Sequence, residues 1–296
     1  MPRVKSNGIE LEYDTMGSPN DPAVVLIMGF AFQMTRWPEA LKRGIADAGY
    51  RVIWFDNRDI GLSSEISHFT PPTAMEVMQA VMAGKDAANM VPYTLDDLAA
   101  DTAGLLDALG IRQADIIGMS MGGMIAQLMA LDHPAKVRKL VLMMTTSGNP
   151  SLPLPAPEAM AALSALPAER TAEAIGEIAI VAQHGIGSHP ELRNSAEVIR
   201  ARAIEDFHRS DRPMGMLRQN GAVIAQKRWH HRLGDVKAPT LVLHGAEDPL
   251  VRPAAGEDIA KRIPGAVFKA YAHWGHDLAD KMSDTLVSDI VPFLKA

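Results

Sequence analysis

Short runs rich in β-branched and other apolar residues recur along the chain: AVVLIM at 23–28, RVIWF at 51–55, DIIGM at 115–119, KLVLMM at 139–144, TLVLH at 240–244 and AVFKA at 266–270. Longer stretches with helical spacing separate them, and strands that alternate with helices imply crossover connections and a mostly parallel sheet. Ahead of these runs, RVKSNGIELEYDT alternates apolar and polar residues around Asn7-Gly8. Both residues of that dipeptide tolerate positive φ, which predicts a two-stranded antiparallel hairpin. The pattern therefore predicts an eight-stranded α/β sheet flanked by helices.

The rhythm breaks between Ser147 and Leu233. SGNPSLPLPAP carries four prolines within eight residues and can continue neither a helix nor a central strand. The helical patterns AERTAEAIGEIAIVAQ and NSAEVIRARAIEDFH follow with no strand between them. This divides the chain into a core, 1–146 with 234–296, and an all-helical insertion, 147–233. A smaller irregularity at 65–92 carries Met75, Met78 and Met82 at helical spacing. Core packing is the expected use of this methionine stripe, and the flexible wall of an apolar pocket is the alternative.

Composition narrows the function. A chain of 296 residues with 47% hydrophobic content can bury the core of one α/β domain with an insertion. Its net charge of -6 is spread among interspersed acidic and basic residues, so neither a nucleic-acid partner nor a polybasic membrane anchor is expected. The stretch MPRVKSNGIELEYD lacks a signal-peptide apolar segment, and AVVLIM is too short to span a bilayer, so a cytoplasmic location is expected. The absence of cysteine excludes disulfides, thiol nucleophiles and thiolate metal sites. No His-Glu-x-x-His appears, and no cofactor or metal is expected.

The candidate chemistry centres on Ser120 in DIIGMSMGGMIAQLMA, 115–130. A G-x-S-x-G match arises by chance about 0.08 times in a chain of this composition, so context must carry the argument. Here a strand leads into the motif and a helix leaves it. A strand-to-helix turn that lifts a serine hydroxyl above the carboxyl edge of a sheet requires small residues two before and two after, hence Gly118 and Gly122. A serine that merely caps the helix is the competing reading. Partners should follow in the order acid, then histidine. TLVLHGAEDPLV supplies Asp248 past a strand end, with Glu247 in reserve; YAHWGHDLAD supplies His276, with His273 competing in the same loop. His244 ends a strand and is expected to pack at the sheet edge. Donors for a developing oxyanion are expected at the N–H of Met121 and, after Gly29 in IMGFAFQ, at the N–H of Phe30.

Together, M-G-F at 28–30, D-N-R-D-I-G-L-S at 56–63, G-M-S-M-G-G at 118–123, H-G-A-E-D-P-L-V at 244–251 and W-G-H at 274–276 resemble the α/β-hydrolase superfamily over nearly the whole chain. The helical insertion corresponds to that family's cap. Two departures are informative: Met28-Gly29 stands where the family often has His-Gly, and Asp59 stands where it has the first glycine of D-x-R-G-x-G-x-S. Both variants resemble a subgroup of bacterial carboxylesterases that includes aclacinomycin methylesterase. The resemblance implies ester cleavage, with Ser120 as nucleophile, His276 as base and Asp248 as its orienting acid, acting on a small-molecule ester. Dehalogenases and epoxide hydrolases of this fold differ by an aspartate nucleophile. Acyltransferases, perhydrolases and C–C bond hydrolases share the triad and remain alternatives, as does a binding protein that uses the pocket without catalysis. Substrate size and oligomeric state are not encoded in these motifs.

Overall fold

A computed structural model describes the whole chain, Met1–Ala296. Eight strands form one sheet: β1 (Arg3–Ser6), β2 (Ile9–Met16), β3 (Ala23–Ile27), β4 (Arg51–Phe55), β5 (Ala114–Met119), β6 (Val137–Met143), β7 (Thr240–Gly245) and β8 (Val267–Tyr271), in the order β1-β2-β4-β3-β5-β6-β7-β8. β1 and β2 are the predicted hairpin, with Ser6 opposite Ile9 and both Asn7 and Gly8 at positive φ. β2 runs antiparallel to β4, and every pairing from β4 to β8 is parallel.

β3 is apolar at every position, and β4 to β7 carry apolar runs through their middles, because both faces are covered. In β3, Val25 and Ile27 enter one core while Val24 and Leu26 enter the other; in β6, Leu140 and Leu142 oppose Val141 and Met143 in the same way. Helices α3 (Leu95–Ala108), α4 (Met121–Asp132) and α9 (Pro253–Arg262) cover the first face. The second is covered by α1 (Glu39–Asp47) and α10 (Ser283–Lys295). Strand interiors of this kind admit no polar alternation, and so the sheet reads as short continuous apolar runs.

Between β6 and β7 the chain forms only helices: α5 (Pro157–Leu163), α6 (Ala172–Ile186), α7 (Ala196–Arg209) and α8 (Pro213–Ala225). Residues of α6 and α7 line the same cavity as the loops after β3, β5 and β8, so the inserted helices stand over the carboxyl edge of the sheet. The methionine stripe departs from expectation. On α2 (Ala74–Met82), Val77 and Ala80 pack against α8, while Met75, Met78 and Met82 are 65%, 42% and 81% exposed and do not line the cavity beside Ser120. Both faces of α2 are apolar in sequence, so spacing alone could not decide which one α8 would cover.

The unusual Asp59 has a structural account. Its φ is 69°, the left-handed region a glycine adopts freely and other residues adopt at a cost of about 1–3 kcal/mol. The carboxylate offsets this by accepting two hydrogen bonds from Arg218 of α8, at 2.8 Å each, and one from the Tyr93 hydroxyl at 2.7 Å. Asp59 and Arg218 are both buried. Asp59→Ala is predicted to destabilise the protein by up to about 3–5 kcal/mol, since it removes the doubly bonded carboxylate from a buried guanidinium and leaves it only Glu65 Oε1 at 3.2 Å and Phe69 O at 3.4 Å. Denaturant unfolding checks this, and a loss below about 1 kcal/mol would mean that the pair does not hold α8 to the core.

Candidate active site

The turn between β5 and α4 is fixed by close packing. A Cβ on Gly118 would collide with the Gly122 carbonyl oxygen, and one on Gly122 would collide with the Ile27 carbonyl oxygen at the end of β3. Only hydrogen fits at either position, so the helix can start directly behind the strand. Ser120 takes φ 52°, ψ -119° at the apex. Its N–H donates to Met143 O at 2.9 Å, and its carbonyl accepts from the Thr145 hydroxyl at 2.7 Å. Although Ser120 occupies the N-cap position of α4, its side chain makes no capping hydrogen bond. The hydroxyl is 3.0 Å from His276 Nε2 instead.

His276 follows β8 and is 5% exposed; its Nδ1–H donates to Asp248 Oδ2 at 2.7 Å, which leaves Nε2 free to accept the Ser120 proton. Asp248, past the end of β7, is 1% exposed and accepts the backbone N–H groups of Leu250 and Val251 at its other oxygen, at 2.9 and 2.8 Å. Carboxylate, imidazole and hydroxyl thus form one continuous hydrogen-bonded line. The competing residues are elsewhere: Glu247 and His273 pair with each other at 3.1 Å, half-exposed and outside that line.

The loop after β3 borders Ser120 closely, since a Cβ on Gly29 would stand 3.3 Å from Ser120 Cβ. The Phe30 N–H has no acceptor within the protein, and Met121 is the first residue of α4, where helical N–H groups lack an intrahelical partner. Both N–H groups are therefore without a protein acceptor, in segments that border Ser120. The D-N-R-D segment shapes this loop: Asn57 donates to Met28 O at 3.1 Å, and Asp56 accepts from Met34 N at 2.8 Å. A contact with no signal in the sequence completes it, because Gln219 of α8 accepts the Ala31 N–H at 3.0 Å.

Ser120 and His276 open onto a cavity of about 320 Å³. Its walls are mainly apolar, including Phe32, Ile178, Ala182, Ile199, Phe207 and Leu250. Three arginines line it: Arg36 and Arg170 pair with Asp206 and Asp211, and Arg212 donates to the Ser63 carbonyl. No cluster of three or more His, Asp or Glu side chains is arranged to hold a metal ion, and no helix is long and apolar enough to cross a membrane.

His244 lies deeper than a sheet-edge position suggests. It is fully buried, its Nε2–H donates to Val251 O at 2.7 Å, and that nitrogen is 3.6 Å from Asp248 Oδ2. The second ring nitrogen, Nδ1, is buried without a partner. Burial pushes the imidazole below its ordinary value, the Val251 carbonyl and the Asp248 charge opposing. Kept neutral, the ring does not compete with His276 for the carboxylate.

A family model described as alpha/beta hydrolase fold matches residues 22–281, and the chain belongs to that family. Among curated relatives, the rhodomycin D methylesterase of Streptomyces peucetius is 26% identical over 316 residues, covering 99% of this chain and 97% of the relative. A 2-hydroxy-6-oxononadienedioate/2-hydroxy-6-oxononatrienedioate hydrolase of Burkholderia vietnamiensis is 31% identical over 279 residues, covering 92% and 87%. Among solved structures, the enol-lactonase of Burkholderia xenovorans superposes over the full length of both chains with TM-score 0.75 at 22% identity, a likeness of fold.

The His244 environment generates a pH prediction. A histidine with a lowered folded pKa binds fewer protons folded than unfolded, so its contribution to stability is lost as pH falls below about 6.5. At about that pH the ring of His244 should remain in its neutral form by NMR titration. A midpoint at or above the ordinary value would show that the site tolerates the cation.

Proposed function

We propose that the protein is a serine hydrolase that cleaves carboxylic esters through an acyl-enzyme intermediate. The observation that carries the reading is the unbroken line from Asp248 through His276 to the Ser120 hydroxyl at the floor of an apolar cavity. Ser120 Oγ attacks the ester carbonyl as its proton passes to His276 Nε2, and Asp248 holds the ring and stabilises the imidazolium. The Phe30 and Met121 N–H groups receive the oxyanion. Collapse expels the alcohol, which takes the proton from His276. Water then attacks the acyl-enzyme with His276 again as base, releasing the acid and restoring Ser120. This chemistry requires only the protein's own groups and a small-molecule ester, and a cytoplasmic enzyme without a membrane or nucleic-acid partner is the accompanying expectation.

A second reading, C–C bond hydrolysis with the same residues, is favoured by the dioate hydrolase relatives. The dioate in their name carries two carboxylates, whereas of the three arginines lining this cavity Arg36 and Arg170 are already engaged by acids, Arg212 alone, bound to the Ser63 carbonyl, has no carboxylate partner, and the remaining wall is mainly apolar. A neutral ester suits that surface better. Initial rates on p-nitrophenyl, aryl, alkyl and methyl esters beside a 2-hydroxy-6-oxo dienoate separate the two.

Ser120→Ala is expected to fold and to lose activity by a factor on the order of 10⁶, and a phosphonate should label Ser120 stoichiometrically. Asp248→Asn should cut turnover by up to about 10⁴-fold. In single-turnover acylation His276→Ala should be inactive and His273→Ala active; the reverse would move the base, and acylation retained by both would remove the mechanism.

The insertion, 147–233, is proposed as a cap that selects substrate. Ala182 of α6 lines the cavity, so Ala182→Phe should slow bulky esters relative to short ones by on the order of tenfold or more. A uniform change for every ester would take away the support for selection by the cap.

A further inference from the structure

The inserted helices also reach the catalytic histidine. At the end of α6 the chain passes through Ile186, Gly187, Ser188 and His189, and each makes contact with residues 273–277. His276 N–H donates to Ile186 O at 2.7 Å, and His189 N–H donates to His273 O at 2.9 Å. A Cβ on Gly275 would collide with the Gly187 backbone, so the two glycines meet main chain to main chain. Between them the Ser188 hydroxyl accepts the Gly275 N–H at 3.1 Å and donates to Asp277 Oδ1 at 2.5 Å. Ser188 and Asp277 are 1% and 4% exposed. Ser188 thus bridges the residues on both sides of His276 from the inserted segment.

We propose that the Ser188–Asp277 pair is a latch through which the helical insertion positions His276, so that Ser188, though remote in sequence from the triad and touching no substrate, is a positioning residue for catalysis. The physical ground is directional. The Asp248 contact constrains the His276 ring at one nitrogen only, and the ring swings about its backbone unless that backbone is fixed. Hydrogen bonds to the N–H groups of residues 275 and 276, with the side chain of 277 tied to the same serine, fix it on both sides. Small misplacements of a reacting group carry large kinetic penalties, and a buried, hydrogen-bonded pair is the arrangement that suppresses them.

The inference rests on His276 acting as the base. In Ser188→Ala, kcat for an activated ester should fall roughly tenfold to hundredfold while KM stays within about twofold. Phosphonate labelling of Ser120 should slow by the same factor, and the downfield proton resonance of the His276–Asp248 hydrogen bond should broaden or vanish. Asp277→Ala should behave alike, and Asp277→Asn, which keeps an acceptor for Ser188, should recover much of that loss. Ile45→Val, a core change far from the site, serves as a control for lost stability alone, with all rates measured well below each variant's Tm. Should Ser188→Ala not fold, the Asp277→Ala and Asp277→Asn pair decides. Folded latch variants with kcat and labelling rate within about twofold of the parent overturn the proposal. Turnover retained by Ser120→Ala would remove the serine-hydrolase reading and the latch with it, whereas an inactive Ser120→Ala beside fully active latch variants would remove the latch alone.

Discussion

The approach of α4 to the carboxyl edge of the sheet is the constraint on which the site depends. Gly122 touches the end of β3 and Gly118 touches Gly122, so the helix begins with no spacer behind β5. That leaves Ser120 in a left-handed conformation which costs about 1–3 kcal/mol for a residue with a side chain. The surroundings hold it there: its N–H is bound to the end of β6, its carbonyl to Thr145, and the following helix is buried almost throughout. Any side chain at 118 or 122 would push the helix away. The same displacement would carry off the free N–H of Met121 along with the hydroxyl.

Around this rigid centre, the other groups arrive on loops held by polar contacts. Asn57 and Asp56 bind the loop after β3, and two backbone N–H groups orient Asp248. The inserted helices take part in the same work. Gln219 binds Ala31, Arg218 binds Asp59, and the segment after α6 binds the histidine loop. The shape of the cavity wall and the alignment of Ser120, Asp248 and His276 are therefore mechanically linked, because one set of helices contacts both.

Asp59 illustrates how a departure from a family pattern is absorbed. The backbone there needs a conformation glycine adopts without penalty, yet the aspartate supplies a carboxylate that Arg218 and Tyr93 engage in a buried setting. Burial raises the Tyr93 hydroxyl well above its ordinary range, the Asp59 charge and hydrogen bond acting in the same direction, so it stays protonated and donates. Strain in the core loop and attachment of α8 come from one substitution.

By itself the sequence determined the strand order along the chain, the hairpin, the helical insertion and the residues that meet at the site, since each has a local cause. Buried parallel strands must be apolar, a two-residue turn needs positive φ, and the elbow needs Gly118 and Gly122. Ser120, Asp248 and His276 were legible because each follows a strand end within a few residues. The tertiary structure alone decided what depends on distant partners. Which face of α2 is covered rests on α8; the deep burial of His244 rests on Asp248 and the loop through Val251; the Gln219 and Ser188 contacts join segments that no periodicity relates. Local pattern reports the forces acting within a turn or a strand, whereas long-range hydrogen bonds are set by packing between elements and leave no spacing in the sequence to read.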